Sequence, residues 1–147
     1  MNKVYLMGMM ILAAANAHSK IIFSCTTSQG KTIQVTEAAG KYRYQFGYPS
    51  RPELVFENQR APAIARSPRW NGVGRTLWSN LVLQNGNYFY TVYHSIDRMS
   101  ETHAEEAGVT ISRATADGSY ENDQYLGQVL CSPRHRIISN FPEELAP

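Results

Sequence analysis

Hydrophobic and polar positions alternate with a period of two through the first third of the chain. Ile21, Phe23 and Cys25 fall on one face of an extended segment, with Ser24 and Thr26 on the other. After Ser28-Gln29-Gly30, Ile33 and Val35 alternate with Thr32, Gln34 and Thr36. After Ala38-Ala39-Gly40, Tyr42, Tyr44 and Phe46 alternate with Lys41, Arg43 and Gln45. Three alternating runs separated by glycine turns predict a half-buried antiparallel meander. Gly47 to Pro52 interrupts the pattern, because neither Pro49 nor Pro52 can donate to a ladder. Glu53 to Glu57 (ELVFE) then predicts a short fourth strand.

Leu77–Gln84 and Tyr88–Asp97 flank Asn85-Gly86-Asn87, and Asn-Gly between two apolar runs is the strongest short-range hairpin signal. The second arm is aromatic on both faces, which suits an inner strand covered on both sides or a sticky surface patch. In the polar stretch Arg98–Ala107, Ser100 before an acidic turn predicts the cap of a short helix. Val109–Arg113 and Tyr125–Cys131 read as further strands, with a last extended piece at Ile137 and Ile138. About eight short strands with at most one short helix imply an all-β fold, an antiparallel sandwich or a small closed barrel.

One segment has no periodicity. Asn58–Gly74, NQRAPAIARSPRWNGVG, reads as a long irregular loop, with Arg75 extending it to 58–75. Connections of this length are uncommon in compact domains and often carry function. It holds Arg60, Arg66, Arg69, Arg75 and Trp70 without one acidic residue. Arginine and tryptophan are the side chains of recognition hot spots, so these five are the candidate binding residues, suited to an acidic cleft or a phosphate. A solvated loop whose charges keep the chain soluble is the plainer alternative.

The N-terminus places the chain. Met1-Asn2-Lys3, the uncharged run Val4–Ala15 and Ala15-Asn16-Ala17 have the form of a secretory signal peptide over residues 1–17. The run is too short to span a bilayer, so no stable membrane anchor is expected. Residues 18–147 then form a single β domain exported to the periplasm or secreted. The formal net charge of +2 falls to +1 without Lys3, which gives no reason to expect nucleic acid as a partner. Two cysteines allow one pairing, and in an oxidising compartment Cys25–Cys131 is expected to be a disulfide.

Candidate chemistry is sparse. His94, Ser95 and Asp97 invite a triad, but triads assemble from separated elements, and His94 and Ser95 point to opposite faces of a strand. His103, Glu105 and Glu106 resemble half a zinc-deaminase motif whose Pro-Cys-x-x-Cys partner is missing. Glu53 and Glu57 lie about 13 Å apart by strand rise, too far for paired glycosidase carboxylates, and suit edge-strand charges instead. No catalytic residue, metal ligand or cofactor is assigned on this reading, and no chemical role is given to His94, His103 or His135.

The run FSCTTSQGKTIQV, followed by YRYQFG, PELVFE and NGNYFYTVYHSIDRMSETHAEEAGVTI, resembles a class of small exported proteins of Gram-negative bacteria to which no activity is attached. More distantly, an early cysteine, Gly-Lys-Thr, alternating strands and a late cysteine are similar to the periplasmic inhibitors of c-type lysozyme. Those are eight-stranded β-barrels that insert a loop into an acidic cleft. Their Ser-Gly-x-x-Tyr motif is not found here, so no inhibitory residue carries over. The expectation is a periplasmic protein-binding module, inhibitor or immunity-like, whose partner is an enzyme or toxin of the cell envelope. The alternatives are an envelope hydrolase built around His94 and His103, or a structural or ligand-carrying protein using the Tyr88–Tyr93 strand.

Overall fold

The computed structural model describes residues 18–147, so the expected signal peptide lies outside the described residues. Strands β1 (Lys20–Thr26), β2 (Thr32–Ala38), β3 (Lys41–Tyr48) and β4 (Arg51–Gln59) form the antiparallel meander that the alternation predicts. A helix, α1 (Arg60–Arg66), leads to β5 (Thr76–Asn85), β6 (Tyr88–Asp97), β7 (Glu105–Arg113) and β8 (Gln124–Leu130). A two-residue strand β9 (Ile138–Ser139) and a 3-10 turn at Glu143–Leu145 complete the chain. The strands make two antiparallel sheets, ordered β4-β3-β2-β1-β9 and β5-β6-β7-β8.

The architecture is a sandwich, not a closed barrel. Inward residues of the first sheet (Phe23, Ile33, Val35, Tyr42, Tyr44) meet Leu81, Leu83, Val92 and Val109 of the second in one core. Tyr44, Phe56 and Tyr90 tie the sheets together through ring contacts of 4.9, 5.5 and 5.1 Å between centroids, in the offset and tilted geometries that aromatic quadrupoles favour. The strict alternation of β1 breaks at one place. A register shift between Ile21 and Phe23 turns Ile22 inward and fully buries it, leaving Ile21 37% exposed.

The disulfide joins Cys25 of β1 to Cys131, just past the end of β8, with the Cα atoms 5.7 Å apart. Beside it, Thr27 and Cys131 form an isolated antiparallel bridge, and Ser132 N–H donates to Thr26 C=O. The first and last long strands thus meet end to end at this bridge rather than along their lengths, which is why the sheet does not close.

Three local expectations change. The irregular loop over 58–75 is only partly a loop: Asn58 and Gln59 finish β4 and residues 60–66 are helical, burying Ala63 and Ile64 in the core. The short helix expected within 98–107 is a tight connection. There the Ser100 hydroxyl donates to Asp97 C=O and accepts from Ala104 N–H, so β6 can return as β7. The β5–β6 turn places Gly86 and Asn87 at its centre, with Asn85 paired to Tyr88 and Gly86 at φ +60°. That is a glycine-first II′ arrangement, with Asn85 taken into the strand rather than the turn. β6 lies between β5 and β7, an inner strand with Phe89 and Val92 buried on its opposite faces.

In the β2–β3 turn Ala39 and Gly40 both have positive φ, at 50° and 73°. Positive φ costs a residue with a Cβ on the order of 1 kcal/mol, and Asn or Gly is the usual occupant of this position. Ala39→Asn should therefore raise the stability by about 1 kcal/mol in urea unfolding; an unchanged or lowered midpoint contradicts the turn assignment. Cys25→Ala/Cys131→Ala should lower stability by about 2–5 kcal/mol, because the bond closes a loop with a sequence separation of 106. Unfolding with and without reductant should show the same loss in the unsubstituted chain.

Candidate functional site

The five residues of the expected recognition loop do not form one displayed cluster. Arg60 Nε lies 3.3 Å from Glu37 Oε1 and its Nη2 3.0 Å from Glu144 Oε1, bracing α1 against β2 and the C-terminal segment. Arg66 donates to Gln84 Oε1 at 3.1 Å, and partial burial holds its guanidinium below the ordinary arginine value. Arg75 grips Asp97 through Nε at 2.8 Å to both carboxylate oxygens. Trp70 lies beneath the Arg98 guanidinium, 5.8 Å from the ring centroid, with its indole N–H buried and without a hydrogen-bond partner. Arg69 remains exposed and unpaired among the described residues.

The segment instead serves as a cover for one sheet edge. Asn58 acts as a peptide mimic: its Nδ2 donates to Gln84 C=O at 2.8 Å and its Oδ1 accepts from Gln84 N–H at 2.7 Å. Two residues along the same edge, Val82 N–H donates to the Ser67 hydroxyl, which itself donates to Ala63 C=O. Both backbone groups of Gln84 and the Val82 N–H, at the C-terminal half of this β5 edge, are thereby satisfied by side chains.

The opposite edge of that sheet is open. β8 reads QYLGQVL, without charge or proline, and leaves Tyr125, Leu126 and Leu130 exposed at 61%, 46% and 45%. Beside it, on the outer face of the sheet, runs a groove of about 380 Å³ lined by Tyr93, Tyr120, Tyr125, Gln128, Glu106 and Asp123 among others, with no basic residue. Tyr120 forms part of it, edge-on to Phe89 at 5.3 Å and hydrogen-bonded to Thr91 at 3.1 Å. Tyr93 donates to Glu106 Oε1 at 2.9 Å; burial, and then this carboxylate, raise its hydroxyl well above the ordinary tyrosine value.

A second cluster occupies the open end of the sandwich. His94 faces inward from β6 and meets Ser139 of β9, in the other sheet, with Oγ 3.0 Å from Nδ1. Glu105 of β7 sits on the other side, its Oε1 2.5 Å from Nε2. These three line or flank a groove of about 230 Å³ whose walls include Leu77, Trp78, Ser79, Ile96 and Phe141. Ser95 and Asp97, the neighbours considered from sequence, are turned elsewhere: Ser95 toward Glu106 C=O and Asp97 to Arg75. The true neighbours lie 45 and 11 residues away in sequence, beyond the reach of a local motif. His103 and His135 are exposed on turns, and no group of three His, Cys, Asp or Glu that could hold a metal ion occurs among the described residues.

No family model, curated protein or solved structure matches the chain. Fold and surfaces define its class: a disulfide-linked, all-β two-sheet sandwich with one covered and one open edge on the smaller sheet. No helix among the described residues is long and apolar enough to cross a membrane.

The Arg75–Asp97 clamp has a definite pH signature. Arg75's guanidinium hydrogen bonds pull the Asp97 carboxyl down from 3.8 to about 2. The folded chain therefore holds this group ionised where the unfolded chain has begun to protonate it. Its stabilisation is complete above roughly pH 4 and is lost as pH falls through about 2. The difference in urea midpoint between the unsubstituted chain and Asp97→Asn should shrink over that window; a difference that stays constant with pH would dismiss the clamp.

Proposed function

We propose that the protein is an exported binding module that captures and blocks another protein of the cell envelope, an enzyme or toxin, as inhibitors and immunity proteins do. The open β8 edge carries this reading. Uncharged, proline-free edge strands with large exposed apolar side chains are aggregation hazards that proteins otherwise shield with lysine, proline or a covering loop. Here the chain covers β5 with side chains that mimic a strand and leaves β8 bare. A partner that adds an extended segment satisfies the free backbone groups and buries Leu126, Leu130 and Tyr125.

The groove beside the strand sets the chemistry of that segment. Tyrosines at its wall offer large, stiff contact area, and Glu106 and Asp123 without a neighbouring cation favour a basic side chain. The reading differs from the one the arginine loop suggests, since it calls for a basic segment rather than an acidic cleft. An oxidising compartment is consistent with the disulfide.

The test is capture of an envelope protein from periplasmic extracts on the immobilised domain, with purified c-type lysozyme as a defined additional probe. Leu126→Lys/Leu130→Lys should abolish retention while keeping the unfolding midpoint, and Arg69→Glu should leave retention unchanged. Equal retention by the strand variant, or loss on Arg69→Glu alone, moves the interface away from β8. Sedimentation showing a dimer that the strand variant dissolves would assign the edge to a second copy of the chain instead.

A further inference from the structure

The His94 cluster has a polarity that its distances alone do not state. A carboxylate only accepts hydrogen bonds, so the ring nitrogen facing Glu105, Nε2, carries the proton of the neutral imidazole. Nδ1 is then a lone pair, and Ser139 Oγ, 3.0 Å away, donates to it. A serine hydroxyl aimed at a basic nitrogen whose far side is fixed by a carboxylate is the arrangement that activates a nucleophile, here assembled from β9, β6 and β7.

The surroundings limit what such a serine would meet. Leu77, Trp78, Ile96 and Phe141 give the groove an apolar wall, and no lysine or arginine lines it. A carboxylate or phosphate ester finds no counter-charge there, whereas a neutral ester with a short apolar acyl group does not need one. Ser79 is the register partner of His94 and lines the same groove. A serine hydroxyl at this place is a donor for a carbonyl oxygen.

We propose that Ser139 is a nucleophile, His94 its general base and Glu105 a positioning residue, forming an acyl-ester hydrolysis site at the open end of the sandwich. Ser139 Oγ bonds to the ester carbonyl carbon as its proton passes to His94 Nδ1. The bond from that carbon to the alcohol oxygen then breaks, and the alcohol leaves with the proton from His94. Water adds to the acyl-serine, again giving a proton to His94, and the serine is released as that proton returns to Oγ. The sum is ester plus water to carboxylic acid plus alcohol, with no redox change. This activity is independent of the binding edge, which lies on another part of the sheet.

An alkyl fluorophosphonate probes the first step directly, since Ser139 Oγ forms the bond to phosphorus as fluoride leaves. Mass spectrometry should locate the adduct on the Ser139 peptide, absent in Ser139→Ala. His94→Gln keeps hydrogen-bonding groups but not the base, and should slow labelling about a hundredfold at an unchanged unfolding midpoint. Glu105 is half exposed, so Glu105→Gln should slow labelling only about fivefold, and Glu105→Asp should restore most of the rate. Hydrolysis of p-nitrophenyl butyrate should follow the same order. No adduct after prolonged exposure, an adduct on a different residue, or undiminished labelling of His94→Gln overturns the assignment.

Discussion

The structure depends on where the chain crosses from one sheet to the other at Cys131. Three links act within a few residues: the disulfide to Cys25, the bridge between Thr27 and Cys131, and the Ser132 N–H bond to Thr26. Together they take the backbone off the end of β8 and lay it along the outer side of β1. From there β9 pairs with Phe23 and Ser24, and Asn140 bonds the carbonyls of Ile21 and Ile22. Phe141 then packs on Phe23 at 6.0 Å, and Leu145 enters the core. The consequences reach both surfaces of interest. Because the chain leaves the second sheet at Cys131, nothing after β8 returns to cover its edge. Because it runs beside β1, Ser139 arrives opposite His94.

The other crossing, from β4 to β5, has the reverse effect. Asn58, α1 and Ser67 stay close to the edge they pass and replace the missing strand with side-chain amide and hydroxyl groups. α1 is only seven residues long, well below the length at which isolated helices persist in water. It exists because Ala63 and Ile64 are buried and Arg60 is braced by two carboxylates, so tertiary contact rather than propensity sets it. The same contacts explain the fate of the arginines. Arg60 and Arg75 find their acidic partners, Glu37, Glu144 and Asp97, in other parts of the chain, so half of the local surplus of positive charge is paired on folding.

These features mark what was legible in the sequence. Period-two alternation marks the meander, because each of its strands has one face in a common core, Asn-Gly marks the β5–β6 pair, and aromatics on both faces of β6 suit the inner position it takes. The cysteine pairing followed from their number. What depends on contacts distant in sequence was not readable. The helix in 60–66 shows no amphipathic period over its few residues, and Asn58 gives no sign that its side chain will stand in for a strand. Ser139 lies in an ordinary extended stretch, and Glu105 within a polar run. Nothing local joins either of them to His94. The open edge is half visible: Tyr125–Cys131 reads as a strand, but its edge position follows only from the sheet order.

An open edge is a template for unlimited self-pairing unless its geometry shortens it. The register between β7 and β8 shifts between Ile111 and Ser112, where Leu126 is the extra residue opposite the break. A bulge bends and twists its strand, so β8 is divided into two short parts. Gly127–Leu130 continues the regular ladder and presents backbone groups, while Tyr125 and Leu126 lie beyond the bend beside the tyrosine groove. Four regular residues are too short a template for the extended stacking that long flat edges permit. For the partner segment proposed above they would set the orientation, leaving its side chains to meet Glu106 and Asp123 at the groove. On the proposed binding mode, selectivity at this edge comes from the bend: backbone pairing alone is too brief to hold a partner, and the side chains that would complete the contact lie where only a complementary segment can reach them.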